Sequence, residues 1–289
     1  MYLIFDTETT GLPKRWKAPI TDTDNWPRCI QIAWQLHDDM GRCLEHQDFL
    51  IRPEGFNIPY DAEKIHGIST ELASEQGIDL ADVLELFNIA LSKTNFVVGQ
   101  NVGFDLNIMG CEFHRLEIVS CLNQLPILDT CTEKTASMCQ IPGGRGGKFK
   151  LPTLTELHQF LFNKPFGDAH NATADVEATT RCFLELIRRQ EFSIDQLQAP
   201  NDYYQQFQSV NQNAISPAGL KHTNLKEQSA KIATRIQQEK ELLTPQNTST
   251  EIPQVLNDVE VVQLHNHSQF SVLQSTISVK DLVLSLIHI

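Results

Sequence analysis

The run YLIFDTETTG, Tyr2 to Gly11, decides how this chain is read. Its first four residues are apolar and form a short strand pattern. Asp6 and Glu8 follow directly, and because side chains alternate along a strand, both project from one face of its end. Two like charges side by side repel unless a cation sits between them. Exposed acids at a strand end rarely come as a same-face pair followed by Thr-Thr-Gly, so a site is the stronger reading.

The pattern extends outward into a mixed domain. Cys29–Leu36 (CIQIAWQL) and Asp48–Ile51 (DFLI) read as neighbouring strands, separated from the first by a polar loop insertion, Pro13–Pro27, with three prolines. Leu80, Val83, Leu84, Phe87 and Leu91 recur at helical spacing behind Asp79 as N-cap. Phe96–Gly99 (FVVG) is another buried strand, Phe104 to Leu116 an apolar helix, and Gly143–Gly147 a flexible loop. A last helix spans about Asn171 to Arg189, with Val176, Phe183, Leu184 and Ile187 on one face. Alternating strands and helices predict an α/β domain.

Three further residues sit at element ends beside core sequence. Asp105 opens the apolar helix in QNVGFDLNIM, Asp175 lies in the first turn of the last helix in AHNATADVEATT, and His170 precedes it by five positions. Alone, each acid reads as a helix-start residue favoured by the dipole, and His170 as a loop histidine. Together with Asp6 and Glu8 they form a constellation suited to phosphodiester hydrolysis. Hard oxygen ligands suit Mg²⁺ or Mn²⁺ rather than zinc. Two such ions ~3.5–4 Å apart activate the attacking water and stabilise the departing oxygen. Four carboxylates offset two dications, and a histidine of ordinary pKa near ~6.5 takes a proton at neutral pH.

DTETTG, NVGFD and H-x-x-x-x-D, in this order, resemble the three motifs of the DEDDh 3′→5′ exonuclease family, over a span from Met1 to about Gln190. The resemblance implies an RNase H-like fold, a mixed five-stranded sheet flanked by helices. It implies Asp6, Glu8, Asp105 and Asp175 as metal ligands and His170 as general base. It also implies that Thr9 and the loop Ile65-His66-Gly67-Ile68 contact the terminal nucleotide. Gln100 departs from the histidine that members often carry before Asn101, at a position that is not a ligand.

After about Phe192 the character changes. Twelve glutamines lie from Gln190 to Gln254 and apolar residues thin out, so 193–257 reads as a linker, part disordered and part helical. Leu225, Ile232, Ile236 and Leu243 suit one face of an isolated helix there, with Glu227–Lys231 as an i, i+4 pair. Further on, Val261 to Val283, containing LHNHSQFS, resembles the opening of the polymerase-and-histidinol-phosphatase (PHP) domain of bacterial DNA polymerase III alpha subunits. His265 and His267 are metal-ligand spaced, yet a PHP site draws ligands from its whole domain. The segment from about 258 to Ile289 falls below the ~40 residues at which unaided domains stop being viable, so the chain reads as a partial one. Its exonuclease part, residues 1–192, then reads as an epsilon-like proofreading exonuclease fused ahead of a polymerase. The implied partners are DNA 3′ ends and the polymerase III alpha region. Gln124–Leu128 (QLPIL) also loosely resembles a sliding-clamp peptide, though a lead into a strand is the plainer reading.

Composition bounds these readings. A net charge of −13 over 289 residues, with only short basic clusters at Lys14–Lys17 and Arg145–Lys150, excludes a strong general nucleic-acid binder. Seven cysteines without a C-x-x-C pair suggest reduced thiols rather than a zinc site. With neither a signal peptide nor a long apolar run, the expectation is a cytoplasmic, replisome-associated protein without a membrane span. The exonuclease motifs alone leave DNA and RNA open, so an RNA-trimming exoribonuclease remains a second reading. A catalytically silent module tethering a polymerase is a third, against which five intact catalytic positions argue.

Overall fold

The computed structural model describes residues 1–167, 171–220 and 223–243. His170, His265, His267 and the segment resembling a PHP domain lie outside the described residues. Five strands form one sheet: β1 (Tyr2–Thr9), β2 (Cys29–His37), β3 (Cys43–Leu50), β4 (Phe96–Gly99) and β5 (Ile127–Asp129), in the order β3-β2-β1-β4-β5. β1 pairs antiparallel with β2 and parallel with β4, which gives the mixed sheet of an RNase H-like fold. β3 begins at Cys43 rather than near Asp48; on this edge strand the polar run Glu45-His46-Gln47 separates Cys43 and Leu44 from the apolar residues after Asp48.

The helices are α1 (Tyr60–His66), α2 (Thr70–Gln76), α3 (Leu80–Ser92), α4 (Gly103–Arg115), α5 (Glu133–Cys139), α6 (Leu154–Phe162), α7 (Ala172–Arg188), α8 (Ile194–Leu197), α9 (Tyr203–Val210) and α10 (Leu225–Leu243). Alternation along β1 divides the core into two layers. Leu3 and Phe5 pack with Phe87 of α3 and Ile108 and Met109 of α4. Tyr2 and Ile4 pack with Val176, Phe183 and Ile187 of α7 and Leu157 of α6. Buried on both faces, β1 is the strand on which both helical layers converge.

The described residues of the stretch read as a linker from 193 are folded onto the domain as far as α10, and Met1–Glu241 clusters as one compact unit. Tyr203 and Phe207 of α9 join the layer around Tyr2, whose hydroxyl lies 3.1 Å from that of Tyr203. Leu225, Ile232 and Ile236 of α10 pack against Ile58, Ala62, Ile68 and Leu72. α10 is therefore a packed helix rather than an isolated one. Sparse apolar residues suffice here because each is spaced to meet a groove already formed by residues far away in sequence. Among the described residues, no helix is long and apolar enough to cross a membrane.

Candidate active site

The acids gather where β1 outruns its parallel partner. The β1–β4 register ends at Ile4 and Val98, while β1 continues to Thr9. Asp6 and Glu8 keep the phase of Tyr2 and Ile4, so they face the α7 layer. α7 delivers Asp175 there: Asn171 caps the helix by accepting hydrogen bonds from Thr173 N and Ala174 N, and Asp175 falls in the first turn. One carboxylate oxygen from each of Asp6, Glu8 and Asp175 lies within 4.8 Å of the others.

Asp105 reaches the cluster from the opposite layer. Thr7 has the phase of Leu3 and Phe5, and it meets α4. Its backbone N–H and its hydroxyl both donate to Asp105 Oδ1, at 3.0 and 2.6 Å. This explains why Asp105 stands apart from the tight trio yet belongs to the same strand end. One of its oxygens is held by Thr7, which fixes the orientation of the other. Asp129, at the end of β5, accepts from Asn101 N (2.9 Å) and Val102 N (3.1 Å) and so anchors the turn into α4. At Gly99, the last residue of β4, a Cβ would approach Val102 side-chain atoms to 2.7 Å, so the turn requires a bare backbone.

Electrostatics agree with the geometry. Burial, then Asp105, Asp175 and Glu8, push the Asp6 carboxyl well above its ordinary range. Burial, then Asp175 and Asp105, raise Glu8 to about 8. Burial raises Asp105 to about 7 against the opposing hydrogen bonds from Thr7. Raised values in mutually repelling carboxylates mark a site that a divalent cation would relieve. The all-oxygen donor set fits a hard cation such as Mg²⁺ or Mn²⁺.

A polar network the sequence reading missed holds the start of α7 against the sheet. Gln31, opposite Glu8 in the β1–β2 register, donates to Asp48 Oδ1 (2.8 Å) and accepts from Ala172 N (3.3 Å). Thr173 Oγ1 donates to Asp48 Oδ2 at 2.6 Å. Gln31 and Thr173 are buried. The available signal was Gln31 inside an otherwise apolar strand; its partners depend on tertiary structure.

The expected substrate contacts are placed less uniformly. Thr9 ends β1 at a bulge and is buried, its hydroxyl donating to Gly11 O at 2.7 Å. Ile65, in the last turn of α1, is 53% exposed, whereas His66 is buried and its Nδ1 accepts from Ile68 N. Ile65 thus offers a surface to a ligand that His66 does not.

Comparison with known proteins follows this architecture. Among curated proteins no relative matches the chain. Similar solved structures include the zinc-bound form of the Escherichia coli exonuclease I complex with single-stranded DNA, at 21% identity and a TM-score of 0.52. That match covers 66% of this chain and 41% of the other. E. coli exonuclease I with a dT13 oligonucleotide is similar at 21% identity and a TM-score of 0.52, covering 65% of this chain and 40% of the other. The chain thus spans less than half the length of these structures, and the likeness is one of fold. A family model described as Exonuclease matches residues 3–183, which contain Asp6, Glu8, Asp105 and Asp175 as well as His170, and the chain belongs to this exonuclease family.

Proposed function

We propose that this chain is a divalent-cation-dependent 3′→5′ exonuclease that releases nucleoside monophosphates from DNA 3′ ends, as the proofreading module of a replicative DNA polymerase III. The observation that carries the enzymatic part is the convergence of Asp6, Glu8 and Asp175 within 4.8 Å, with Asp105 brought to the same strand end by Thr7. Asp6, Glu8, Asp105 and Asp175 would hold two cations, which supply Lewis-acid polarisation of the scissile phosphate and of the attacking water. Thr7 restrains Asp105, and the Gln31–Asp48–Thr173 bonds restrain the helix turn that carries Asp175. His170, immediately before the Asn171 cap in sequence, takes the proton from the attacking water. Thr9 and the exposed Ile65 contact the terminal nucleotide, while buried His66, accepting from Ile68 N, holds the turn that carries Ile65.

The polymerase assignment rests on the resemblance of Val261–Val283 to the opening of a PHP domain. The acidity of the chain favours it: with weak general affinity for DNA, frayed 3′ ends would be delivered by a polymerase in cis or in trans. The deciding experiment compares matched and mismatched 3′ termini, in DNA and RNA, using wild type and Asp6→Ala. Mismatch-preferring DNA hydrolysis that requires Asp6 is the expected result. Faster trimming of RNA oligomers would replace this reading with the exoribonuclease one, and activity retained by Asp6→Ala would remove the site assignment.

A further inference from the structure

The loop insertion Pro13–Pro27 does more than join β1 to β2. A turn from Arg15 to Ala18, closed by a bond from Ala18 N to Arg15 O at 3.3 Å, puts Trp16 and Lys17 at its tip. Asn25 is buried and braces the residues before that tip. Its backbone carbonyl accepts from Lys14 N at 3.2 Å, and its side chain accepts from Arg15 N at 2.7 Å and donates to Arg15 O at 3.0 Å. The far limb is fixed to α4, where Arg115 Nη2 donates to Thr23 O at 2.6 Å and to Trp26 O at 2.7 Å. Trp26 is itself buried, and Ile20 packs against the core beside Gly110 of α4. The loop is thus a braced platform on the helix that carries Asp105.

α4 meets the tip as well. The rings of Trp16 and Phe104 have centroids 5.9 Å apart at an interplanar angle of 52°, and Phe104 directly precedes Asp105. Trp16 is nevertheless 58% exposed, and among the described residues no lysine or arginine lies over its ring. Single exposed apolar residues are ordinary on a protein surface. This one differs because a turn held by the Asp105 helix presents it beside that acid, where little conformational entropy remains to be lost on binding. Arg15 is taken up by Asp22 at 2.7 Å, whereas Lys14 and Lys17, on either side of the ring in sequence, have no ion-pair partner among the described residues. With Asp24 the loop holds three cations against two carboxylates, so charge assists here and the aromatic ring carries the argument.

We infer that Trp16 is a stacking platform for a base of the unpaired DNA segment upstream of the scissile phosphate, with Lys14 and Lys17 meeting the phosphates beside it. The inference rests on the exonuclease reading of the acidic site, and it adds a contact on the α4 side to those proposed at Thr9 and Ile65. Every base has a face that stacks on an indole, so the contact is tolerant of sequence. It is open to a frayed strand and closed to a paired one, whose bases are already stacked on their neighbours. An acidic chain can in this way hold an unpaired 3′ end without general affinity for duplex DNA.

The test uses the full chain in EDTA, which suppresses cleavage and leaves binding to be read alone. Of the three tryptophans, Trp26 and Trp34 are buried and Trp16 is exposed, so quenching of tryptophan emission by a 15-nucleotide single strand reports on Trp16. Wild type should be quenched as the strand binds, and a blunt duplex of the same sequence should quench it far less. Trp16→Ala should bind the strand at least about fivefold more weakly, as read by anisotropy of a labelled strand. Trp16→Phe keeps a ring against Phe104 and should retain most of the affinity while losing the quenching, which separates stacking from support of the loop. Lys14→Gln/Lys17→Gln removes two phosphate contacts and should lower the slope of log affinity against log salt by about 1.4. A saturating strand that leaves wild-type emission unchanged would overturn the platform, as would wild-type affinity in Trp16→Ala. Equal quenching by the blunt duplex would overturn its selectivity for unpaired bases, and an unchanged salt slope would remove the two lysines from it. Failure of the hydrolytic reading would appear separately, as absence of Asp6-dependent cleavage in Mg²⁺.

Discussion

Without a cation the carboxylate cluster should make the protein least stable where it is most highly charged. Glu8 rises from an ordinary 4.5 to about 8 in the folded chain, and Asp105 from 3.8 to about 7. Below pH ~3 both groups are protonated in the folded and unfolded states and contribute nothing. As pH rises further, the unfolded chain loses protons that the folded chain retains, so metal-free stability falls until the folded groups titrate. Each retained proton contributes a slope of about 1.4 kcal/mol per pH unit, which sets a ceiling near ~5 kcal/mol for Glu8. Between pH 6 and 8 the loss from this one group is at most about 2.5 kcal/mol, or about 5–8 °C in melting temperature for a domain of this size. The assay is thermal melting in EDTA at pH 6 and pH 8, with wild type and Glu8→Gln. Wild type should melt several degrees lower at pH 8, and Glu8→Gln should flatten that drop and melt higher than wild type at pH 8. Adding Mg²⁺ at pH 8 should restore wild type by mass action and help Glu8→Gln less. A Glu8→Gln protein no more stable than wild type at pH 8 in EDTA, with an equally steep pH response, would refute the claim that burial, together with Asp175 and Asp105, raises Glu8 in the fold.

Other outcomes follow from particular contacts. Glu112 is fully buried and accepts from Arg28 Nε at 3.0 Å and Cys29 N at 2.8 Å, with Arg115 Nη1 at 3.0 Å. Glu112→Ala leaves two arginines without their counter-ion and should cost about 3–5 kcal/mol in urea denaturation. Tyr203→Phe removes the hydroxyl that donates to Asp39 O at 2.8 Å and should cost about 1–2 kcal/mol in the same single transition, since α9 shares the core of the sheet. Thr173→Val breaks the bond to Asp48 without changing side-chain volume. It should lower kcat by about tenfold and raise the Mg²⁺ concentration needed for half-maximal rate, while the thermal midpoint moves by only a few degrees; Thr173→Ser should recover most of the rate.

Much of the fold was legible because its signals are local. The strand Phe96–Gly99 has the predicted bounds, and the expected helix from Asn171 begins with Asn171 as its cap. The acids stood out because charge beside an apolar run contradicts the burial expected there. Thr7, Gln31 and Asp48 gave no such contradiction: a threonine between two acids and a glutamine in a strand look ordinary until another element supplies the partner. The predicted N-cap at Asp79 shows the converse. Asp79 does begin α3, but its side chain makes no cap bond and instead pairs with Arg52 at 2.5 Å, a contact 27 residues away in sequence. The packing after Phe192 was the largest departure: the helix expected around Leu225–Leu243 is present, but it is not isolated. Glutamine-rich sequence carries little apolar surface of its own, and Tyr203, Phe207, Leu225 and Ile232 become core residues only because the sheet and α1–α2 present grooves to them.

The place of the site follows from topology as well as from its residues. The chain leaves β1 to one side, through β2 and β3, and returns on the other side as β4 and β5. The end of β1 is thus where the two directions part, and no helix can cover both sides of it at once. An open sheet binds ligands in such a crevice at the carboxyl ends of its strands. Here Thr7 also finds its partner in α4 rather than in β4, whose register with β1 has already ended. Because successive side chains on β1 face opposite layers, acids carried by α4 and α7 can approach one another only around that end. The alternation Asp6-Thr7-Glu8 is therefore the arrangement that lets a single strand receive both: the carboxylates meet α7, and the threonine between them receives Asp105. Exchanging Thr7 for valine would keep the strand and its burial but remove one of the two donors to Asp105. Any resulting loss of rate would therefore be expected to come from the aim of that carboxylate rather than from the number of acids present.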